Sequence, residues 1–410
     1  LVSAALLAAQ EAREAEVRVG NAALRYVHSA APEAAAPRPL AVILAEGDPQ
    51  QAWRSWTATF PPDWLVMAAP VSGLHDGEVK AVQMAIQDCA ARLPVDRSRV
   101  YLAGASTSGV FYTLARIPDE FAAGLAIQGT PAPAINTNKL YAAGTSTTPL
   151  LWLDPPAYTA RVQAKLKAAG FQFEAANRWT RDQVLEWLNQ RRRPAAPYQI
   201  DCETHSLAFA RCYWLEIVNV NPRRRNDAVP PTRVKPGSGA ALAIGPFGYR
   251  PEDPGPGVEV VWLPDNYSGP LRLKDRIVAV GGVDMKDGQA YADFMDELID
   301  PKLTAITVQR GDERLRLETA IKLPAMETTV TARVQGTWLP ESRELLLITR
   351  AVSDLRLQLP RDWAPAKALW NGNELSLEKD GCWLLTEKEG EFAARPCPAS
   401  APGTPGGGAP

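Results

Sequence analysis

Short continuous apolar runs alternate with amphipathic stretches along the first half of the chain. The runs PLAVILA (39–45), WLVMAAP (64–70), RVYLAG (99–104), FAAGLAIQ (121–128), TPLLWLD (148–154) and FQFEAA (171–176) read as buried strands. Between and after them, EVKAVQMAIQDCAARL (78–93), SGVFYTLARI (108–117), YTARVQAKLKAAG (158–170) and TRDQVLEWLNQRR (180–192) place apolar residues three and four apart, the period of a helix. Pro118 and Gly170 end the second and third helices, and Thr180 with Gln183 forms a capping box for the fourth. VRVGNAALRYVHS (17–29) precedes them as a hairpin about a Gly-Asn turn. Alternating strands and helices over 39–193 specify an α/β fold: a parallel sheet with helices on both faces.

The pattern then changes. Residues 194–236 are Pro-rich and basic and read as a linker region with one ordered stretch, FARCYWLEIVNV. From 237 to 323 the chain is β-rich: GVEVVWL, DRIVAVGG, LTAITVQR and LRLETAI are strands, and GQAYADFMDELI is a single helix among them. Residues 324–394 read as a small all-β region, with a hairpin turn at Asn-Gly in WNGNEL. Its tryptophans serve either as core or as an interface in a larger assembly. The tail, 395–410, is rich in Pro and Gly and is expected to be disordered. Residues 1–16 fit either a short helix or a signal remnant.

Composition narrows the function. The 410 residues are 46% hydrophobic and 22% charged, as expected of a globular chain of two or three domains, and the formal net charge is −2. That charge argues against a nucleic-acid partner, and the arginine triplets at 191–193 and 223–225 sit beside prolines as solvated faces. No run of about 20 apolar residues predicts a transmembrane segment. The spacing of the five cysteines matches no zinc pattern, and neither metal nor cofactor is expected. Cys89 lies in a helical pattern as a core residue. Cys202, Cys212, Cys382 and Cys397 fit two disulfides of an exported protein, a pairing the sequence does not decide.

The chemistry concentrates in VYLAGASTSGVF (100–111). Ser106 follows a strand, precedes a helix and is surrounded by small residues, as in the sharp turn that lifts a serine nucleophile above a sheet. The Thr107 N–H then becomes an oxyanion donor at a helix N-terminus. With ALRYVHSAAP, PLAVILAEG, VDRSRVYLAGASTSG and PDEFAAGLAIQG in this order, residues 17–193 resemble α/β-hydrolases of the polyhydroxyalkanoate-depolymerase and feruloyl-esterase type. That family requires an acid after the strand before last and a histidine after the last strand. Asp154 stands at the acid's position, shortened to DPPAY, while Asn177, Arg178 and Trp179 occupy the histidine's loop. His28, His75 and His205 all fall elsewhere in the order. Where the family usually has His-Gly, this chain has Glu46-Gly47, placing a carboxylate near the oxyanion.

Residues 237–323 resemble a bacterial PDZ domain, through the Gly-Pro-Leu step at 269–271, LKDRIVAVGGVDM, the helix and ITVQRGDERLRL. The resemblance implies binding of a peptide or a protein's C-terminal tail by strand addition, its carboxylate held by a Gly-rich loop. Gly245, Pro246, Phe247 and Gly248 are the candidate loop, in which Pro246 offers no N–H. Three functions follow. One is a catalytically degenerate hydrolase fold that binds peptides or proteins; another is an exported serine esterase or peptidase using Ser106; the third is a structural subunit of a larger assembly. The hydrolase resemblance places the protein in the periplasm or outside the cell.

Overall fold

The computed structural model describes residues 11–32, 36–71, 73–223, 228–237, 239–298 and 300–398. An antiparallel hairpin, β1 (Ala12–Val19) and β2 (Ala22–Ser29), opens an eight-stranded sheet. β3 (Arg38–Ala45), β4 (Leu65–Pro70), β5 (Val95–Gly104), β6 (Ala123–Ile127), β7 (Leu150–Leu153) and β8 (Phe173–Ala176) complete it as parallel strands. The spatial order is β1-β2-β4-β3-β5-β6-β7-β8.

Alternation along each strand builds a core on either face. Leu40, Val42 and Leu44 of β3 point to one face, where they pack with Val82 and Ile86 of α2 (Asp76–Arg92), Phe111 and Leu114 of α3 (Thr107–Arg116) and Leu166 of α5 (Ala160–Ala168). Ala41 and Ile43 point to the other, against Trp53 of α1 (Pro49–Thr57) and Trp187 and Leu188 of α6 (Arg181–Asn189). The expected capping box of α6 forms, with Thr180 and Gln183 bonding reciprocally. Helix α1 and the short α4 (Ala132–Asn136) lie in stretches whose sequence gave no helical signal; α1 is set by Asp48 capping the Gln50 N–H and by proline at its first position.

The stretch read as linker is largely structured. β9 (Gln199–Thr204), β10 (Arg211–Cys212) and β11 (Leu215–Val220) lie within it. β9 pairs with β18 (Ala332–Leu339) and β11 with β20 (Val352–Leu359), so both join the C-terminal strands. The remaining strands there are β19 (Glu344–Arg350), β21 (Ala366–Trp370), β22 (Asn373–Leu377), β23 (Gly381–Lys388) and β24 (Glu391–Pro396). They form two five-stranded sheets, β10-β11-β20-β23-β24 and β22-β21-β19-β18-β9, over a shared core. Trp338, Trp363, Trp370 and Trp383 are buried in that core, which removes them from any assembly interface. Disulfides join Cys202 to Cys212 and Cys382 to Cys397, and Cys89 is free and buried.

Between β11 and β18 lies a six-stranded sheet: β12 (Ala241–Leu242), β13 (Val258–Glu259), β14 (Arg276–Val280), β15 (Val283–Asp284), β16 (Lys302–Arg310) and β17 (Glu313–Lys322). Its one helix among the described residues, α7 (Gly288–Glu297), buries Tyr291 and Met295 against it.

Two terminal expectations change. Residues 12–16 belong to β1 rather than to a helix, and residues 1–10 lie outside the described residues. Arg395 and Pro396 belong to β24, and Cys397 is disulfide-bonded, so the disordered tail does not begin at 395; residues 399–410 lie outside the described residues. No helix among the described residues is long and apolar enough to cross a membrane.

Candidate functional site

Ser106 lies where the pattern put it, between the end of β5 and the start of α3. The turn is crowded. A Cβ on Gly104 would come within 3.0 Å of the Leu44 carbonyl, and one on Gly109 within 3.0 Å of Ser106 Oγ. A cavity of about 370 Å³ opens here, lined by Glu46, Gly47, Val71, Gly73, Leu74, Ser106 and Ser108. These residues follow β3, β4 and β5, so the cavity sits at the carboxyl edge of the sheet, where ligands of such folds collect.

The hydroxyl has the position of a nucleophile, and no described side chain hydrogen-bonds to it. Ser106 has φ −72° and ψ 83°, and the Thr107 N–H donates to the Ala105 carbonyl at 2.9 Å. Together these form an inverse γ-turn centred on the serine. The expected oxyanion donor is therefore engaged within its own turn. The Thr107 hydroxyl is also occupied, donating to the Gln128 carbonyl at 2.5 Å, and Ser108 Oγ donates to Thr130 O at 2.8 Å.

No described imidazole hydrogen-bonds to Ser106. His28 Nδ1 lies 2.8 Å from the Ser29 carbonyl on β2, His75 precedes α2, and His205 Nε2 lies 2.8 Å from Asp76 Oδ2. Asp154 ends β7 with a positive φ of 46°, and its Oδ1 accepts the Arg178 N–H at 2.7 Å. The acid position thus faces the loop after β8, where it meets a backbone amide. Glu46 lines the cavity itself, a carboxylate beside the place where an oxyanion develops.

Sequence reasoning missed a polar cluster joining α2 and α3 to the segment after β9. Asp76 accepts from Tyr112 Oη at 2.5 Å, Arg116 Nε at 3.1 Å and His205. The Arg116 guanidinium is buried between the rings of Tyr112 and Tyr141, 4.3 and 4.5 Å from their centroids. Burial works against the charge on Asp76. The bonds from His205 and Tyr112 and the nearby Arg116 outweigh it and hold the carboxyl well below the usual range. The sequence trace of this cluster is Arg116, the one charged residue of α3, at its last position.

In the six-stranded module, Gly245 has φ 92° and Tyr267 packs over it. The Gly248 N–H donates to Trp262 O at 2.8 Å and the Val261 N–H to Gly248 O at 2.9 Å. With Pro246 lacking a donor and Gly248 engaged, Phe247 keeps an N–H without a partner among the described residues. No group of three metal-ligating side chains occurs among the described residues.

Strand order and the serine turn give an α/β domain, a mainly parallel sheet with helices on both faces, as the hydrolase resemblance implies. Solved structures similar to this chain include a proposed dipeptidyl aminopeptidase IV of Bacteroides ovatus, at 11% identity over 44% of this chain and 36% of that one, TM-score 0.36. They also include a Rhizomucor miehei esterase, at 10% identity over 44% of this chain and 83% of that one, TM-score 0.34. A third is the Pyrococcus horikoshii acylaminoacyl peptidase, at 12% identity over 43% of this chain and 38% of that one, TM-score 0.32. The match thus spans little more than a third of either peptidase. No family model matches the chain, and no curated protein matches it.

Proposed function

We propose that this protein is a non-hydrolytic member of the α/β-hydrolase architecture that acts by binding, with its six-stranded module as the docking site for a peptide segment. One observation carries the first half. The Thr107 N–H is bonded to Ala105 O while no described imidazole bonds to Ser106, so base and oxyanion donor are both lacking at one serine. Losing such groups lowers catalysis by orders of magnitude. The second half is supported by one helix packed on a small sheet, with the Phe247 N–H open in the candidate loop. A fluorophosphonate probe and a short acyl ester test the reading. It expects no labelling above that of Ser106→Ala and no ester hydrolysis above buffer. Stoichiometric labelling that vanishes in Ser106→Ala establishes the serine-esterase alternative instead.

A further inference from the structure

Residues 249–251 and α7 pack on each other and together wall one side of a groove that α4 and α5 cover. A cavity of about 160 Å³ marks the contact. Tyr249, Pro251 and the α7 residues Gln289, Ala292, Asp293 and Asp296 line one side. The spacing of the α7 residues, one and two turns apart, puts them on a single helix face. Opposite stand α4 and α5, with Arg161 and Lys165 of α5 also one turn apart.

The two faces are complementary in charge. Arg161 Nη1 meets Asp293 Oδ1 at 2.5 Å, Arg161 Nε lies 3.6 Å from Asp296 Oδ2, and Lys165 Nζ lies 3.0 Å from the same oxygen. The chain entering the module keeps clear of this contact by having no side chain there. A Cβ on Gly237 would lie 1.6 Å from Asp296 Oδ1. Its N–H donates instead to Asn136 Oδ1 of α4, at 3.1 Å.

We propose that this groove is an acidic docking site for a basic peptide segment, and that α5 occupies it in cis, so that binding a partner requires displacing Arg161 and Lys165. The proposal rests on the reading of the module as a peptide binder. The partner it fits carries two cations that reach Asp293 and Asp296 in place of Arg161 and Lys165. Ion pairs that are a fifth to a half exposed are individually weak and screened by salt. The contact is therefore suited to release rather than to permanent closure.

The test uses the full chain and three variants: Arg161→Ala/Lys165→Ala, the same pair with Asp293→Asn/Asp296→Asn added, and Gly237→Ala. Two fluorescein-labelled dodecapeptides with free C-termini serve as probes, identical except that two positions are lysine in one and glutamate in the other. The lysine peptide is expected to bind Arg161→Ala/Lys165→Ala at least about 10-fold tighter than the wild type. The quadruple variant is expected to lose most of that gain and to distinguish the two peptides less than about 3-fold. Amide exchange across 249–253 and α7 is expected to rise in Arg161→Ala/Lys165→Ala and in Gly237→Ala. Equal binding of the lysine peptide to wild type and Arg161→Ala/Lys165→Ala overturns masking while leaving the peptide-binding reading intact. Binding by no variant, with exchange raised, overturns the peptide-binding reading and reduces the contact to a domain interface. Unchanged exchange in both exchange-tested variants overturns the occupation of the groove by α5.

Discussion

Asp154 Oδ1 accepts the Arg178 N–H at 2.7 Å, tying the end of β7 to the loop after β8. Both residues have positive φ, 46° and 59°. The bond ties the end of β7 to the loop in which the hydrolase resemblance leads one to expect a histidine. Asp154→Ala removes the acceptor and places alanine in a conformation it disfavours, for an expected loss of about 1–2 kcal/mol at this exposed site. Asp154→Asn keeps an acceptor and tolerates the conformation, so it is expected to lose less than about 0.5 kcal/mol. Urea unfolding midpoints of the two variants check the difference.

Asp119 supplies a test near neutral pH. Burial, then the neighbouring Glu120, pushes its carboxyl up to about 6, although Tyr213 N–H donates to it at 3.4 Å. The folded state therefore holds this proton more tightly than the unfolded chain. The associated stability is full below the unfolded pKa of about 3.9 and is lost as pH rises through about 6. Asp119→Asn is expected to stabilise the protein by about 1–2 kcal/mol at pH 7.5 and by much less at pH 4. Thermal unfolding at the two pH values decides it.

Asp76 behaves in the opposite sense. Its carboxyl is held low by His205, Tyr112 and Arg116 against the cost of burial, so its stabilisation is present above the unfolded pKa. It is lost as pH falls below about 4 toward the depressed folded value. Asp76→Asn is expected to cost about 2–3 kcal/mol at pH 7, because Arg116 stays buried without its counter-charge. The variant should also show a shallower fall in urea midpoint between pH 5 and 3 than the wild type.

The two disulfides act on the C-terminal sheets. Cys202–Cys212 links β9 in one five-stranded sheet to β10 in the other, and Cys382–Cys397 ties β23 to the residue after β24. Their sequence separations are 10 and 15. Chain-entropy reasoning gives each about 3 kcal/mol. Cys382→Ser/Cys397→Ser is expected to lower the unfolding midpoint and to raise amide exchange in β23 and β24 first, while Cys89→Ser leaves exchange in these strands unchanged.

Much of the fold is local and therefore written in the chain. The hairpin, the strand–helix alternation over 39–193, the capping box at Thr180 and Gln183 and the strand-to-helix turn at Ser106 follow from short-range periodicity and from residues whose conformational preferences act within a few positions. What the tertiary structure decided is the pairing of distant groups. β9 and β11 read as parts of a linker because their partners, β18 and β20, lie beyond the whole six-stranded module. The Thr107 N–H reads as an oxyanion donor until the dihedrals of Ser106 turn it toward Ala105 O. Asp76 meets His205, and Arg161 meets Asp293, only after packing has brought separate segments together. Hydrophobic period determines which residues turn inward; which polar group each one then meets depends on the register and packing of elements far apart in the chain.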